Sequence, residues 1–577
     1  MSNGDLENIF NEIGDLLEIK GEDAFRVNSY RRVARTIKGL TEDISEIAAR
    51  GELAKLAGVG KGTAEKISQY LADGKIDLLE ELRASVPKGL PALLGIPGMG
   101  PKKVALVWKE LGVEDVDGLK AVIDDGRFAA LKGMGEKSVK QIAEGLTFTE
   151  KAGERTPLGL AMPLATELAE AMRKVKSVRR VEVSGSVRRG CETIGDLDLL
   201  CESDEGPAVV KAFTELPQVK KVLASGDTKG SVIVERRDGV PIQADCRVVP
   251  KASFGAALQY FTGSKEHNVR VRGIAVKKKW TLNEWGLFDG DKQLAGADEE
   301  GIYKKLGLPY VPPECREDSG EIDAGAAAFD KLIKLEDIRG DLHMHTNASD
   351  GTVDAEAMAV AAKEIGYEYI AITDHSKSSP QANGLSIDRM WRQIEKIRKL
   401  NEKHDTISVL IGCECDILAD GKLDYPDTIL AACDIVVASV HSALRQEKAK
   451  ITKRVMAAME NPFVTIIGHP TGRLLNRRAP MDLDLAQIIK QAAATQTVLE
   501  LNASWQRLDL CDRYVRMARD AGVMISIDTD SHAPGQLAQM SYGIMTARRG
   551  WLKADDVLNT RPLAVMRLWI NKKKKNA

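Results

Sequence analysis

From residue 338 onward the sequence repeats one pattern, a short apolar run of strand length followed by a helix-length segment. The clearest runs are Tyr369-Ile370-Ala371-Ile372, Ile435-Val436-Val437-Ala438, Val464-Thr465-Ile466-Ile467, Val498-Leu499-Glu500-Leu501 and Val523-Met524-Ile525-Ser526-Ile527. Alternation of this kind makes a parallel sheet, because each helix carries the chain back to the edge where the next strand starts. The region is expected to be an α/β domain of barrel-like form. In such folds functional side chains collect at the carboxyl ends of the strands. Asp374-His375, His441, His469, Asn502 and Asp530-Ser531-His532 each stand just after one of the runs.

These positions carry the strongest chemistry in the chain. Of eight histidines, all but His267 and His404 stand beside other metal-binding side chains. The nine candidate ligands are His343, His345, Asp350, His375, Glu414, His441, His469, Asp530 and His532. Strand alternation lets His343-Met344-His345 present two imidazoles on one face, and Asp530-Ser531-His532 repeats the device. A lone histidine is more often a core or surface residue, but six at equivalent topological positions are not. Imidazoles and carboxylates without thiolates suit Mn, Fe or Zn rather than a structural zinc finger. Nine ligands are too many for one ion and fit about three. Such a cluster lowers the pKa of bound water and clamps a phosphate.

The preceding sequence has a different character. Residues 1–150 read as helical, interrupted by three glycine turns that form a loose repeat: Gly58-Val59-Gly60, Gly98-Met99-Gly100 and Gly133-Met134-Gly135. Glycine lets the backbone approach a phosphate, and the N–H groups of the next helix start can bind it. Lysines at 61, 102, 103 and 137 favour that use over an ordinary turn. Between 178 and 250 strands appear, among them Val181-Glu182-Val183, Leu197-Asp198-Leu199-Leu200 and Ser231-Val232-Ile233-Val234. Asp196 and Asp198 fall on one strand face, and Asp245 on a later strand can join them. Divalent cations resolve the repulsion of carboxylates set so close, and two such ions suit in-line displacement at phosphorus. The turn Gly185–Gly190 with Arg189 would cradle a triphosphate. Residues 312–323 are rich in Pro, Glu, Asp and Gly and read as part of a linker.

The bulk numbers agree with several soluble domains. At 577 residues, three or four are expected. There is no secretory pattern at the start and no bilayer-length apolar run, so a cytoplasmic protein with no membrane partner is expected. Eight cysteines without a CxxC pair read as free thiols. A net charge of −2 does not point to nucleic acid, but local basic clusters can still bind phosphates. The lysine run 572–575 reads as a solvated tail.

The series Gly185-Ser186-Val187-Arg188-Arg189-Gly190, Gly195-Asp196-Leu197-Asp198, Asp245 and Tyr260-Phe261-Thr262-Gly263-Ser264 resembles DNA polymerase family X, in order through residues 1–315. The resemblance implies a nucleotidyltransferase palm of α+β fold with Asp196, Asp198 and Asp245 as metal-binding catalytic carboxylates. It places Ser186, Arg189, Gly195, Tyr260, Phe261, Gly263 and Asn268 at the nucleotide. Gln243 stands where the polymerase beta sequence has arginine, and Lys265-Glu266-His267 replaces a different stretch. The glycine turns resemble helix-hairpin-helix motifs, so Gly58, Gly60, Gly98, Gly100, Gly133 and Gly135, with Tyr30 on a supporting helix, are expected at DNA. Leu56–Ile67 is similar to the lyase domain of that family, and Lys66 falls on its Schiff-base lysine. Phe25 and Gly62 stand where lysines are usual, which weakens a 5′-phosphate pocket.

Residues 338–570, with Asp341-Leu342-His343-Met344-His345, Thr373-Asp374-His375 and Gly468-His469-Pro470, resemble the PHP (polymerase and histidinol phosphatase) domain, a distorted TIM-type barrel. By that likeness His343, His345, Glu414 and Asp530 hold one ion; Glu414, His441 and His469 a second; Asp350, His375 and His532 a third. The expected domains are 1–83 lyase-like, 84–150 helix-hairpin-helix, 151–249 palm, 250–315 thumb-like, 316–337 linker and 338–577 PHP. The expected function is filling of short gaps in DNA repair, with Mg²⁺ or Mn²⁺ (two ions) at the palm. A 3′-5′ exonuclease using about three Mn²⁺, Zn²⁺ or Fe ions and an abasic-site lyase accompany it. Gapped or recessed DNA and deoxynucleoside triphosphates are the expected partners, and the chain is expected to be a monomer. A DNA-end scaffold with a vestigial polymerase is disfavoured by the complete ligand sets. A small-molecule phosphatase with an unrelated N-terminal half is disfavoured by the helix-hairpin-helix repeats. An abasic-site endonuclease or a phosphatase is the alternative for the PHP cluster alone.

Overall fold

The computed structural model describes residues 3–38, 44–56, 58–96, 99–131, isolated positions between 134 and 146, 155–403 and 407–575. The chain forms two compact units, Met1–Gly153 and the bulk of Glu154–Ala577. Among the described residues no helix is long and apolar enough to cross a membrane.

The first unit is helical, as expected. Leu6, Phe10, Ile13 and Leu17 fall on one face of helix Asn3–Lys20 and are buried. Val27, Tyr30, Ala34 and Ile37 do the same on Ala24–Lys38, so the two helices pack face to face. Gly60 and Gly100 are the N-caps of helices Lys61–Asp73 and Pro101–Leu111, and Gly58 takes a φ of +79°. Gly98, Gly133 and Gly135 lie outside the described residues. Tyr30, expected at DNA, is instead only 8 % exposed and stacks on Phe10. Its ring completes the apolar stripe of its helix.

The second unit contains a five-stranded sheet and a seven-stranded one. In the smaller, β1 (Arg180–Val183), β2 (Leu197–Glu202), β3 (Val219–Ser225), β4 (Lys229–Glu235) and β5 (Pro241–Val249) lie in the order β1-β2-β5-β4-β3. Strands β2 and β5 are parallel neighbours, and their register sets Asp198 directly beside Asp245. Helices Leu158–Arg173 and Gly206–Thr214 pack on this sheet. Next come helices Phe254–Thr262 and Lys265–Lys277, a three-stranded antiparallel meander spanning 281–295, and helix Glu299–Leu306.

Residues 316–337, read above as a linker, are packed. Arg316 and Glu321 are fully buried, and Ile322, Phe329 and Leu332 enter the core of the 256–315 region. The Arg316 guanidinium bonds Glu299 at 2.5 Å and the Val311 carbonyl at 2.9 Å. Composition suggested a solvated connector because its charges were counted without the partners that neutralise them.

The larger sheet has seven parallel strands in sequential order: β6 (Gly340–Met344), β7 (Tyr369–Ile372), β8 (Ser408–Asp416), β9 (Ile435–Ser439), β10 (Ile466–Ile467), β11 (Val498–Asn502) and β12 (Ile525–Asp528). The last strand returns to the first through a bridge from Met344 to Ser531, so the sheet is nearly a closed barrel. The lysine tail corrects another expectation. Lys573 is buried and its ammonium bonds the Val464 carbonyl (2.5 Å) and Thr497 Oγ1 (2.6 Å). Helix Leu563–Lys575 thereby caps the end of the barrel opposite the histidines, where amino-terminal strand ends need donors.

The barrel and the five-stranded domain share one interface. Arg473 forks onto Glu192 at 2.9 and 2.8 Å, Arg549 reaches Glu317 and the Arg189 carbonyl, and Phe329 packs edge-on against Trp551. Glu299 is held between Arg316 and Arg188; burial alone would raise its pKa, but these two cations hold it at about 2. Arg316→Ala is expected to destabilise this unit by about 3–5 kcal/mol, because it strips a buried carboxylate of one partner. Denaturant unfolding of the full chain checks this, and an unmoved transition would show that Arg188 alone suffices.

Candidate active sites: a carboxylate cleft and a histidine-lined centre

A cleft of about 410 Å³ opens beside β2. Ser186, Arg189, Gly195, Asp196, Asp198, Tyr260, Phe261, Gly263 and Asn268 all line it. Gly185, at φ +63°, sits so close that a Cβ there would lie 2.1 Å from Asp198 Oδ2, so the turn needs glycine on both counts. Asp196 is exposed at the strand entrance and Asp198 half-buried within it. Asp245 is turned onto the Lys229 ammonium, 2.6 Å away, and receives the Gln243 amide at 3.0 Å. The sequence reading missed Lys229, whose diagonal approach depends on the pairing of β4 with β5. Burial, then the charges of Asp196 and Asp245, push the Asp198 carboxyl up to about 7. A divalent cation would relieve that repulsion, so the residues fit one. Asn268 is committed internally, its amide tying Gln259 to the Tyr260 carbonyl (both 2.7 Å), so it shapes the wall of the cleft.

At the carboxyl ends of the barrel strands the expected ligands converge. Ligand atoms of His343, His345 and Asp530 lie within 4.8 Å of one another, as do those of His375, Glu414 and His441. So do those of His345, Asp350, His375 and His532. Glu414 is central: its Oε1 stands 3.0 Å from His469 Nε2, 3.2 Å from His441 Nε2 and 3.5 Å from His343 Nε2. Asp530 and His532 arrive differently from expectation. They lie past the end of β12, where Asp530 takes a left-handed φ of +54°, so a turn and not strand alternation aims them.

The electrostatics fit bound cations. Glu414 and Asp530 stay well below the usual carboxylate range despite burial, held there by the surrounding imidazoles. Burial lowers the His441 pKa, but Glu414 and Asp416 outweigh it and carry it up to about 10. Burial and the neighbouring His532 and His375 take His345 down to about 4; burial and Arg507 take His469 to about 3. The cluster thus calls for positive charge, which protons on some imidazoles supply where a metal would otherwise do so. His343 Nε2 is buried 3.5 Å from Glu414 Oε1, and Glu414 Oε2 faces His375 Nδ1 at 2.8 Å, so these atoms meet only other candidate ligands, as a shared cation would draw them to do.

Comparison with known proteins now bears on these two sites. Residues 257–317 match the DNA polymerase beta thumb and residues 341–504 the PHP domain. Residues 1–76 match a helix-hairpin-helix domain, and 90–147 a SAM-like helix-hairpin-helix tandem. The DNA polymerase/3′-5′ exonuclease PolX of Bacillus subtilis (strain 168) is 39% identical over 565 residues, 98% of both chains. The chain belongs to the PolX family. A probable phosphatase of Thermoanaerobacter sp. (strain X514) is 28% identical over 38% of this chain and 89% of its own. DNA polymerase lambda of Rattus norvegicus is 26% identical over 51% of this chain and 53% of its own.

In this PolX chain a second ring of residues, mostly missed in the sequence, aims the ligands. Glu500 accepts from His343 Nδ1 at 2.6 Å, and Asp416 pairs with His441 Nδ1 at 2.5 Å while Ser378 and Ser379 donate to it. Asp374 is not a ligand; it accepts from Thr346, Ser349 and Gln393 and fixes the loop after β6. Such partners set the tautomer and angle of each imidazole. In the cleft, Arg155, Lys265 and Arg272 add positive charge that the motifs did not flag. A further cluster, Glu192, Cys511 and Asp512, is engaged by Arg473 and Arg549 in the interface. Lys66 lies on helix Lys61–Asp73, partly exposed, its ammonium 3.1 Å from the Gly62 carbonyl.

A pH dependence follows for the metal-free protein. The Asp198 pKa is raised by folding, so the folded state binds more protons than the unfolded one between about pH 4 and 7, and stability falls as pH rises through that window. With chelator present, Asp198→Asn is expected to stabilise the fold at pH 8, by at most about 4 kcal/mol and so with a higher unfolding midpoint, and to lose that advantage below pH 4. Calorimetry at the two pH values checks it; equal midpoints at pH 8 would show that the carboxylate is not strained.

Proposed function

We propose that this chain is a DNA-directed DNA polymerase that fills short gaps in DNA repair and trims 3′ ends through its PHP domain. The observation that carries this reading is the presence in one chain of a cleft lined by Asp196 and Asp198, with Asp245 on the strand beside Asp198, and of the converging histidine centre. The similarity to a polymerase/3′-5′ exonuclease along nearly the whole chain supports both halves.

At the cleft, Arg189 and the Ser186 turn receive the triphosphate, with Arg155, Lys265 and Arg272 adding charge. Tyr260 and Phe261, packed edge-on at 5.2 Å, form the wall for sugar and base. Asp196, Asp198 and Asp245 would hold Mg²⁺ or Mn²⁺, for which Asp245 would have to turn from Lys229. In the barrel the nine ligands hold about three Mn²⁺, Zn²⁺ or Fe ions. When bound, such ions polarise phosphoryl oxygens and lower the pKa of the attacking hydroxyl or water. Glu500 and Asp416 keep His343 and His441 oriented through their Nδ1 atoms, leaving Nε2 for coordination. The helix starts at Gly60-Lys61 and Gly100 offer N–H groups to DNA phosphates, which positions DNA without reading its sequence. Lys66 is the candidate amine for abasic-site β-elimination.

A second reading of the barrel, abasic-site endonuclease or phosphatase, draws on the similarity to a probable phosphatase. Separation of activities tests the main one. On gapped, labelled DNA with Mn²⁺ and nucleotides, Asp198→Ala is expected to stop extension and keep shortening, and Asp530→Ala to do the reverse. Each loss should exceed about 100-fold, the upper end for removing a residue that only supports a metal ligand. Shortening by Asp530→Ala at the wild-type rate would remove the cluster from the nuclease. Borohydride trapping on abasic-site DNA is expected for the wild type and lost in Lys66→Ala; undiminished trapping would assign another amine.

A further inference from the structure

Arg507 sits beside the histidine centre and is not among its nine candidate ligands. Its Nε lies 3.4 Å from Asp530 Oδ2, and its side chain is largely buried. Its Nη1 is buried without a hydrogen-bond partner among the described residues. The contact to Asp530 is single and long, unlike the short forked pair an arginine makes when its task is to hold a carboxylate. That task is already filled: Asn502 donates to the same Oδ2 at 3.2 Å, and His345 Nε2 stands 3.1 Å from Oδ1.

The loop that carries Arg507 is pinned. Arg473 donates to the Arg507 carbonyl at 2.9 Å and to the Leu508 carbonyl, and forks onto Glu192 across the interface. The guanidinium is therefore delivered to the centre by a braced loop. An arginine does not deprotonate in a protein. Asp530 takes up one side of this permanent cation, and the buried Nη1 still stands without an acceptor among the described residues, a place that a further anion would fill.

We propose that Arg507 is a substrate-phosphate ligand, whose open N–H groups bind a non-bridging oxygen of the phosphate presented to the centre. The proposal rests on the nuclease reading of the barrel and names the residue that recognises its substrate class, a phosphodiester or a terminal phosphate. The negative charge that builds on the phosphate during displacement would strengthen the contact, so the residue serves both binding and turnover.

The test uses the full chain loaded with Mn²⁺, comparing wild type, Arg507→Ala and Arg507→Lys. Four quantities are read: bound manganese, equilibrium binding of inorganic phosphate and of dAMP by calorimetry, shortening of single-stranded DNA, and primer extension. Arg507→Ala is expected to keep its manganese and its primer extension while phosphate and dAMP affinity fall about 10- to 100-fold, the scale of a charge-assisted hydrogen bond. Arg507→Lys should recover part of the affinity, since it keeps the charge and loses the fork. Unchanged phosphate and dAMP affinity in the alanine variant overturns the proposal, as does loss of manganese, which would make Arg507 a support for Asp530. A wild type that binds neither anion overturns it as well. If wild type shortens DNA but anion binding ignores Arg507, only this proposal fails. If anion binding depends on Arg507 and wild type shortens no DNA, only the nuclease reading fails.

Discussion

Closing a parallel sheet on itself points every strand the same way, and the histidine centre depends on that constraint. Seven strands close the barrel less completely than eight would, and side chains seal the seam between β12 and β6. Asp528 accepts from the Leu342 N–H at 2.8 Å, Thr529 donates to Asp341, and Asn559 bridges the Gly340 and Ile527 carbonyls. Burial pushes Asp341 up to about 6, so the seam carries a real electrostatic cost. What it secures is the convergence of His343, His345, His375, His441 and His469, from four other strand ends, onto Glu414.

The two sites solve one problem, crowded ligand charge, in different ways. In the cleft the three carboxylates are not gathered: Asp245 is drawn to Lys229 and Asp198 is held toward its protonated form. In the barrel the carboxylates are outnumbered by imidazoles, which can take up protons, and the cluster is compact. The first site is an open cleft; the second is walled by buried side chains that fix its shape in advance.

Between them runs an interface built on arginines. Arg549 and Arg189 share Glu317, so a residue lining the carboxylate cleft is tied to the barrel through one carboxylate. Arg473 similarly joins Glu192 to the loop carrying Arg507. Buried pairs of this kind stabilise little beyond what their desolvation costs, and they fix relative placement more than they add stability.

The sequence by itself determined much of this chemistry. Alternation of strands and helices announced the barrel, and residues just past the strands announced the side chains that converge there, because strand direction and side-chain alternation are local properties. That Asp196 and Asp198 share a strand face was legible for the same reason, whereas the register that sets Asp198 beside Asp245 came from the pairing of β2 with β5. Tertiary structure alone decided what depends on distant partners. Tyr30 and Lys573 turned inward because a facing helix and a ring of carbonyls received them. Residues 316–337 packed because Glu299 and Trp551 lay elsewhere in the chain to receive Arg316 and Phe329. Lys229, Glu500, Asp416 and Arg507 carry no motif, since their places follow from which strands and loops come together, and pairwise distance in space has no signature in one sequence.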